Sequence, residues 1–304
     1  MNTSGTSDLA FQRNVSLAAY TTIKIGGAAK YFAEPLNEDQ LRKLLNWAKQ
    51  DGLPCFILGN GSNVVFDDAG YQGLVLSMRR FENDLIKVDP DACRVTVSAG
   101  VSLSRLVRFC QESGLAGTEF LAHIPGTVGG ALIMNAGFSR YAGQRNAIGD
   151  LVEEVRALTR EGAVVHRNRA ELKFSYRHSD LGDLLVLEAT LRLWRRPKDQ
   201  IRKEMNANLD FRKAHQQIHE PNAGSIFRNP ALPYPSAGTL IEKAGLKGKR
   251  IGGMQISEQH ANYFVNMGGA TSADVIRLIE EVQKTLLHAT GITLEPEIRI
   301  VPKN

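Results

Sequence analysis

Between residues 38 and 50 apolar positions recur with a helical period. Leu41, Leu44, Leu45 and Ala48 share one face, Asn37 is placed to cap the start and Gly52 to end it. A short apolar run, Cys55 to Leu58, follows at once and reads as a buried strand, with a glycine loop directly after it. Thr21 to Pro35 has an extended pattern, with a Gly26-Gly27 turn in it. Residues 74–98 alternate apolar and polar in short runs, so strands are predicted there. Ser104 to Ser113 reads as a helix with Leu106, Val107 and Cys110 on one face. Strands return at Val152–Leu158, Ala163–Arg167 and Leu184–Trp194. From about 207 to 290 the chain is rich in turns, apart from one strong helix, Ser272 to Ala289. That helix would bury Val275, Ile276, Ile279, Val282 and Leu286. A final strand is predicted from Leu294 to Val301, with Leu294, Pro296, Ile298 and Ile300 on one face and Glu295, Glu297 and Arg299 on the other. Residues 1–18 are polar with few apolar anchors and predict a loose arm.

Length and composition narrow the class. At 304 residues, with 43% apolar and 23% charged residues, the chain has room for two or three domains and the balance of a soluble globular protein. The longest uncharged stretch, Phe120 to Ser139, holds Pro125 and four glycines, so it reads as packed loop rather than a membrane span. The N-terminus lacks a basic region followed by an apolar core, so no signal peptide is expected. Three well-separated cysteines, Cys55, Cys93 and Cys110, predict buried free thiols in a reducing compartment and no metal site. Net charge is +5, yet Arg192 to Arg250 alone carries 13 Lys/Arg against 5 Asp/Glu. A basic segment suits an anionic ligand; it equally suits solvated helix faces. It has neither stacking aromatics nor zinc spacing to favour nucleic acid.

Five motifs could carry chemistry. The loop Gly59-Asn-Gly-Ser-Asn63 can wrap a diphosphate with successive backbone amides, or it can be a tight turn. It is neither a Walker A loop nor a complete dinucleotide fingerprint. The run His123-Ile-Pro-Gly-Thr-Val-Gly-Gly-Ala131, continuing to Met134-Asn-Ala-Gly137, has glycines at 126, 129 and 130 that permit close backbone approach to a ligand. Two such loops together look like two walls of one cofactor cleft. In Pro221-Asn-Ala-Gly-Ser-Ile-Phe-Arg-Asn-Pro230, Ser225 follows a small Ala-Gly pair and could reach a ligand or merely cap a turn. In Leu294-Glu-Pro-Glu-Ile-Arg-Ile300 a carboxylate and a guanidinium lie two residues apart, as a polar site or as the wet face of a strand. Phe174-Ser-Tyr-Arg-His-Ser179 groups a phenol, an imidazole and a guanidinium suited to a carboxylate, or forms a polar loop.

In this order the motifs resemble the UDP-N-acetylenolpyruvoylglucosamine reductase family of peptidoglycan precursor synthesis. The resemblance covers residues 20–302. It rests on Thr22-Ile-Lys-Ile-Gly-Gly27, Gly59–Asn63, Ile124-Pro-Gly-Thr-Val-Gly-Gly130, Tyr176-Arg177, Ala223-Gly-Ser225, Ala244-Gly-Leu-Lys-Gly248 and Leu294-Glu-Pro-Glu297. It implies an α+β fold: an FAD-binding unit of the vanillyl-alcohol-oxidase (PCMH) type in two subdomains, plus a C-terminal α+β substrate-binding domain. The implied division is an N-terminal arm over 1–20, a first FAD subdomain over 21–78 joined by the strand 292–304, a second over 79–206, and the substrate domain over 207–291. The implied reaction passes hydride from NADPH to FAD and on to UDP-N-acetylglucosamine enolpyruvate.

The same resemblance implies residue roles. Ser225 would be the proton donor, while Arg177 and Glu297 would stabilise the enolate. Such a glutamate must carry or share a proton, since an ionised one would repel the developing charge. FAD would meet Gly59, Asn60, Gly61, Ser62, Asn63, Ile124, Pro125, Gly126, Thr127, Gly129, Gly130, Asn135, Ala136, Gly137 and Arg299. Substrate would meet Tyr176, Lys213, Asn229, Lys247 and His260. No metal, no nucleic acid and no membrane insertion are implied; a cytoplasmic monomer is. Arg228 stands where lysine is common, and His260 where one branch has glutamine. The stretch Phe138 to Asn146 exceeds the usual continuation, and little room remains after Arg177 for an extra tyrosine-bearing loop, so the chain looks like the branch without it. Two other readings stay open: a different flavin oxidase or dehydrogenase on the same scaffold, and a non-catalytic binder of nucleotide sugars or nucleic acid.

Overall fold

The computed structural model describes residues 10–141, 146–216 and 219–302. The chain divides into two compact units. One comprises Met1–Gln12, Phe32–Asn60 and Leu74–Phe211; the other comprises Arg13–Tyr31, Gly61–Gly73 and Arg212–Asn304.

In the first unit the helix Glu38–Gln50 starts where the pattern places it. The Asn37 side chain accepts a hydrogen bond from the Gln40 N–H at 3.0 Å, and Leu41, Leu44 and Ala48 are buried. The strand Cys55–Leu58 runs parallel to Leu74–Ser77. Beyond it lies a five-stranded antiparallel sheet in the order Val164–Asn168, Val152–Leu158, Leu185–Arg192, Arg94–Ser98 and Ile86–Asp89. Its inward residues, among them Val95, Val97, Val155 and Leu191, pack with Leu106 and Val107 of the helix Leu103–Glu112 and with Leu132 of the short helix Val128–Ile133. Burying such side chains supplies about 1.5–3 kcal/mol each.

The second unit has a four-stranded antiparallel sheet in the order Asn222–Ser225, Tyr263–Asn266, Met254–Ile256 and Arg250–Ile251. The helix Ser272–Thr290 buries Val275, Leu278, Ile279, Val282 and Leu286 in one core with Met254, Ile256 and Phe264. Thr271 and Asp274 cap each other reciprocally at its start. Gly291, at a φ of 71°, ends it. In the same unit the strand Val64–Phe66 runs parallel to Arg299–Val301.

Several expectations change. The terminal strand covers only Arg299–Val301, and Pro296 is exposed; without an N–H, Pro296 cannot extend a ladder. In the long helix Ile276 is half-buried, and Leu278 is buried in its place. Gln12–Ser16 is a strand and Leu17 is fully buried, where a loose arm was predicted. The helix Lys198–His215 carries no clear apolar period because Asn208 and Arg212 share its buried side with Ile201. Asn208 donates to the Glu119 carbonyl at 2.9 Å. All three cysteines are free thiols; burial pushes the thiols of Cys55 and Cys110 up to about 12, although of the three only Cys110 is buried as a whole residue. Among the described residues no helix is long and apolar enough to cross a membrane, and no cluster could hold a metal ion.

Candidate active site

The first unit holds one end of the Gly59–Asn63 loop and the whole of the 124–137 segment. A Cβ at Gly59 would lie 2.8 Å from Thr127 Oγ1, so the two glycine-rich segments touch here, and a larger residue would force the Thr127 side chain to shift. Asn60 presents its carbonyl to Arg79 Nη2 at 2.9 Å. In the second segment the N–H groups of Val128 and Gly129 donate to the carbonyls of Val101 and Ala99, both at 2.9 Å, and that of Gly130 to Thr127 Oγ1 at 3.4 Å. The Gly126 carbonyl accepts from Leu103 N. Ile124 is half-buried, while Pro125 and Gly130 are exposed. The chain then turns at Asn135, whose φ is 42°, and Ala136 donates back to the Ala131 carbonyl. Gly137 forms a bridge with Ala147, and its missing Cβ would collide with the Asn146 carbonyl at 2.0 Å. Of the long 138–146 stretch, 142–145 lie outside the described residues. Within the rest, Phe138 packs on Phe211 and Arg140 pairs with Glu204.

Tyr176 and Arg177 form the two-residue tip of a hairpin whose arms are Phe174–Ser175 and His178–Ser179. The Arg177 Nη1 group donates to the Gly137 carbonyl at 3.0 Å, and the guanidinium lies 5.4 Å from the centre of the Tyr176 ring. Arg177 is therefore brought beside the 135–137 loop.

In the second unit Gly61 has a φ of +65°, and a Cβ there would stand 2.2 Å from the Tyr20 carbonyl. Its carbonyl accepts from the Thr22 N–H at 3.0 Å. Among the described residues the N–H groups of Gly59, Asn60, Gly61 and Ser62 donate to no acceptor. Successive amides of this kind match what a diphosphate needs. The loop thus fits the diphosphate of the FAD that the family resemblance implies.

Ser225 lies 72 positions before Glu297, and the fold makes them near neighbours. The Glu297 N–H donates to the Ile226 carbonyl at 2.7 Å, Arg228 N donates to the Glu295 carbonyl at 2.9 Å, and Phe227 bridges Pro296. Asn63 Nδ2 donates to the Glu297 carbonyl at 3.2 Å, and Arg299 N to the Asn63 carbonyl at 3.0 Å. Ser225, Glu297, Asn63 and Arg299 therefore assemble around one strand crossing. Glu297 Oε2 is shielded from solvent.

Ser225 owes its placement to a bulge. Asn222 pairs with Val265 and Ser225 with Tyr263, so three steps along one strand oppose two on the other. Gly224, at a φ of +74°, makes the extra residue possible, and Asn222 Oδ1 accepts its N–H at 2.9 Å. Thr22 and Asn262 were not singled out by sequence reasoning, yet both hold this crossing. The Thr22 hydroxyl donates to the Asn222 carbonyl at 2.7 Å. The Asn262 amide exchanges two hydrogen bonds with the backbone of Phe227, at 2.9 and 2.8 Å. The Thr22–Gly27 motif was the signal available for Thr22; its role was not readable.

Three of the candidate substrate residues of this unit, Asn229, Lys247 and His260, gather around the helix Ala237–Lys243. Asn229 Oδ1 accepts the Ala237 N–H at 3.0 Å. Lys247 pairs with Glu242 at 2.6 Å. His260 sits against Gly238 and packs edge-on to Tyr263. Burial, with Lys247 nearby, holds His260 below its ordinary value, and its Nδ1 accepts the Asn262 N–H at 3.2 Å. Lys213 is exposed; its carbonyl accepts from Gln259 Nε2, one residue from His260.

Residues 216–301 match the family described as UDP-N-acetylenolpyruvoylglucosamine reductase, C-terminal domain, and residues 29–168 match an FAD binding domain family. The UDP-N-acetylenolpyruvoylglucosamine reductase of Anoxybacillus flavithermus is 41% identical over 95% of this chain and 94% of its own length. That of Pelobacter propionicus is 40% identical over 94% and 93%. Among solved structures, UDP-N-acetylenolpyruvylglucosamine reductase (MurB) from Thermus caldophilus is similar with a TM-score of 0.80 and 34% identity, covering 96% of this chain and all of that one.

Proposed function

Because the chain belongs to the UDP-N-acetylenolpyruvoylglucosamine reductase family, an α+β family of FAD-dependent oxidoreductases, we propose that it reduces UDP-N-acetylglucosamine enolpyruvate to UDP-N-acetylmuramate, with NADPH as electron donor. The observation that carries this reading is the crossing that sets Ser225 beside Glu297. A flavin enzyme that only oxidised or reduced its cofactor would have no use for a proton donor on a bulge next to a shielded carboxyl. FAD, when bound, supplies the hydride, having received it from NADPH.

The remaining chemistry falls to this chain's own groups. Hydride reaches the methylene carbon of the enolpyruvyl group, and the double-bond electrons move toward the adjacent carbon and its carboxylate. Arg177 neutralises that carboxylate. Glu297, protonated, donates a hydrogen bond to the enolate oxygen. The Ser225 hydroxyl gives its proton to the carbon bearing the carboxylate, and completes the new C–H bond. One substrate, one NADPH and one proton thus yield the lactyl ether and NADP⁺.

Binding is divided between the cofactor and the nucleotide sugar. The amides of Gly59 to Ser62, with Asn63 and Arg299, are proposed to hold the FAD diphosphate, and Pro125 and Gly130 to line it from the second segment. Tyr176, Lys213, Asn229, Lys247 and His260 are proposed substrate contacts. The division into an FAD unit in two subdomains, 21–78 with 292–304 and 79–206, and a substrate domain, 207–291, is part of the same proposal, as is a cytoplasmic monomer.

An anaerobic absorbance experiment tests the reading. NADPH should bleach the bound flavin, and the enolpyruvyl substrate should restore its colour. In Ser225→Ala the bleaching should persist, while recovery slows by roughly 10²–10⁴-fold. Wild-type protein that bleaches yet does not recover on substrate addition would overturn the proposal.

A further inference from the structure

The hairpin bearing Tyr176 and Arg177 is strained at its tip. Arg177 has a φ of 54°, a left-handed conformation that two-residue hairpin turns normally assign to glycine or asparagine. A long side chain held there persists only where its surroundings over-determine it. The segment Ile133–Gly137 does so at three points. The Ser179 hydroxyl, on one arm, donates to the Ile133 carbonyl at 2.9 Å. On the other arm, the Ser175 carbonyl accepts from Asn135 Nδ2 at 2.8 Å. At the tip, Arg177 Nη1 donates to the Gly137 carbonyl at 3.0 Å.

Asn135 is central to this grip. It is only 7% exposed and is itself left-handed, with a φ of 42°. Its Oδ1 accepts the Gly149 N–H at 3.0 Å, so the amide is clamped from both sides and its orientation is set. Gly149 leaves no slack: a Cβ there would fall 2.5 Å from Phe174 Cγ and 2.8 Å from Asn135 Oδ1. The Asn135 side chain is thus turned into the protein rather than toward a cofactor.

We propose that Asn135 is a positioning residue that fixes the orientation of the Arg177 guanidinium. The inference rests on the reading that Arg177 binds the substrate carboxylate. It assigns to Asn135 a role exercised through the hairpin, in place of a direct side-chain contact with flavin. Losing the amide frees the Ser175 arm, relaxes the left-handed tip and lets the guanidinium wander. An error of about an ångström in such a group can cost roughly a hundredfold in rate.

The test is a double-mutant cycle on the holoenzyme, read by flavin reoxidation with UDP-N-acetylglucosamine enolpyruvate. Asn135→Ala should keep its flavin absorbance and lose roughly 10- to 100-fold in the reoxidation rate per bound flavin. In an Arg177→Ala background the same change should add almost nothing, because both act through one group. Hydrogen exchange of the 174–179 hairpin, measured on the FAD-free protein, should speed up in Asn135→Ala. Ser179→Ala removes a different tie of the same hairpin and serves if Asn135→Ala does not fold; its smaller loss should likewise vanish without Arg177. Losses that multiply with Arg177→Ala would overturn the proposal. So would a variant whose only defect is departed flavin, or one that reoxidises at the wild-type rate beside an active wild type. Wild-type protein that is not reoxidised by the substrate, or an Arg177→Ala variant at full rate, would instead overturn the functional reading beneath it.

Discussion

Two glycine-rich segments, Gly59–Ser62 and Gly126–Gly130, look alike in sequence and work differently in the fold. In the first, carbonyls turn toward the protein: Asn60 O accepts from Arg79 and Gly61 O from Thr22. The N–H groups of the loop remain without an acceptor among the described residues. In the second the amides of Gly126 and Thr127 have no acceptor among the described residues, but those of Val128, Gly129 and Gly130 are already committed to Val101, Ala99 and Thr127. Glycine there serves packing, since a Cβ on Gly129 would stand 2.9 Å from the Ala99 Cβ. Glycine content alone therefore does not mark an anion site. Uncommitted backbone donors do.

Three substitutions would sharpen or break this contrast. The largest effect is expected for Gly61→Ala. It forces a side chain into a left-handed conformation and its Cβ into the Tyr20 carbonyl. Together these should cost roughly 2–4 kcal/mol and abolish FAD retention. Urea unfolding of the FAD-free protein and the flavin absorbance of purified protein measure both; normal values for each would sink the description of this loop. Gly129→Ala should cost less, about 1–2 kcal/mol, because crowding against Ala99 is partly offset by better helix propensity. Its folded fraction should bind FAD as the wild type does, and a selective loss of FAD affinity would place Gly129 among the flavin contacts. Gly130→Ala should have the smallest effect on stability. Its Cβ meets only Thr127 Oγ1, at an ordinary 3.5 Å, and the helix should gain up to about 1 kcal/mol. FAD titration of this variant should nonetheless show weaker binding, since Gly130 is on the exposed side of the segment. Unchanged affinity would remove it from the proposed site.

How much was legible varies by element, for identifiable reasons. The helix Glu38–Gln50 was readable to the residue because its apolar period and its Asn37 cap are both local. The helix Lys198–His215 was not, because the groups it buries include the Asn208 amide and the Arg212 side chain, which carry no hydrophobic period. Pro296 made the last strand look longer than it is: it fits an alternating pattern yet cannot donate to a ladder. Within the site, Ser225 stood out by motif order. The bulge that aims it depends on Asn222, Gly224 and the distant Thr22 hydroxyl, and none of these contacts has a local signature.

Local pattern was enough for many of the elements, the Asn37 cap, the family and the candidate roster of chemical residues, since each is written within a few consecutive positions. Pairing across the chain was needed for the rest. The neighbourhood of Ser225 and Glu297, the tethering of Arg177 to Gly137 and the commitment of the Asn135 amide all join residues 40 or more positions apart or turn on backbone donors. Backbone hydrogen bonds carry no side-chain identity, so a sequence cannot announce which of its amides are already committed. In this chain that difference separates a glycine that packs from a glycine that is free to meet a phosphate.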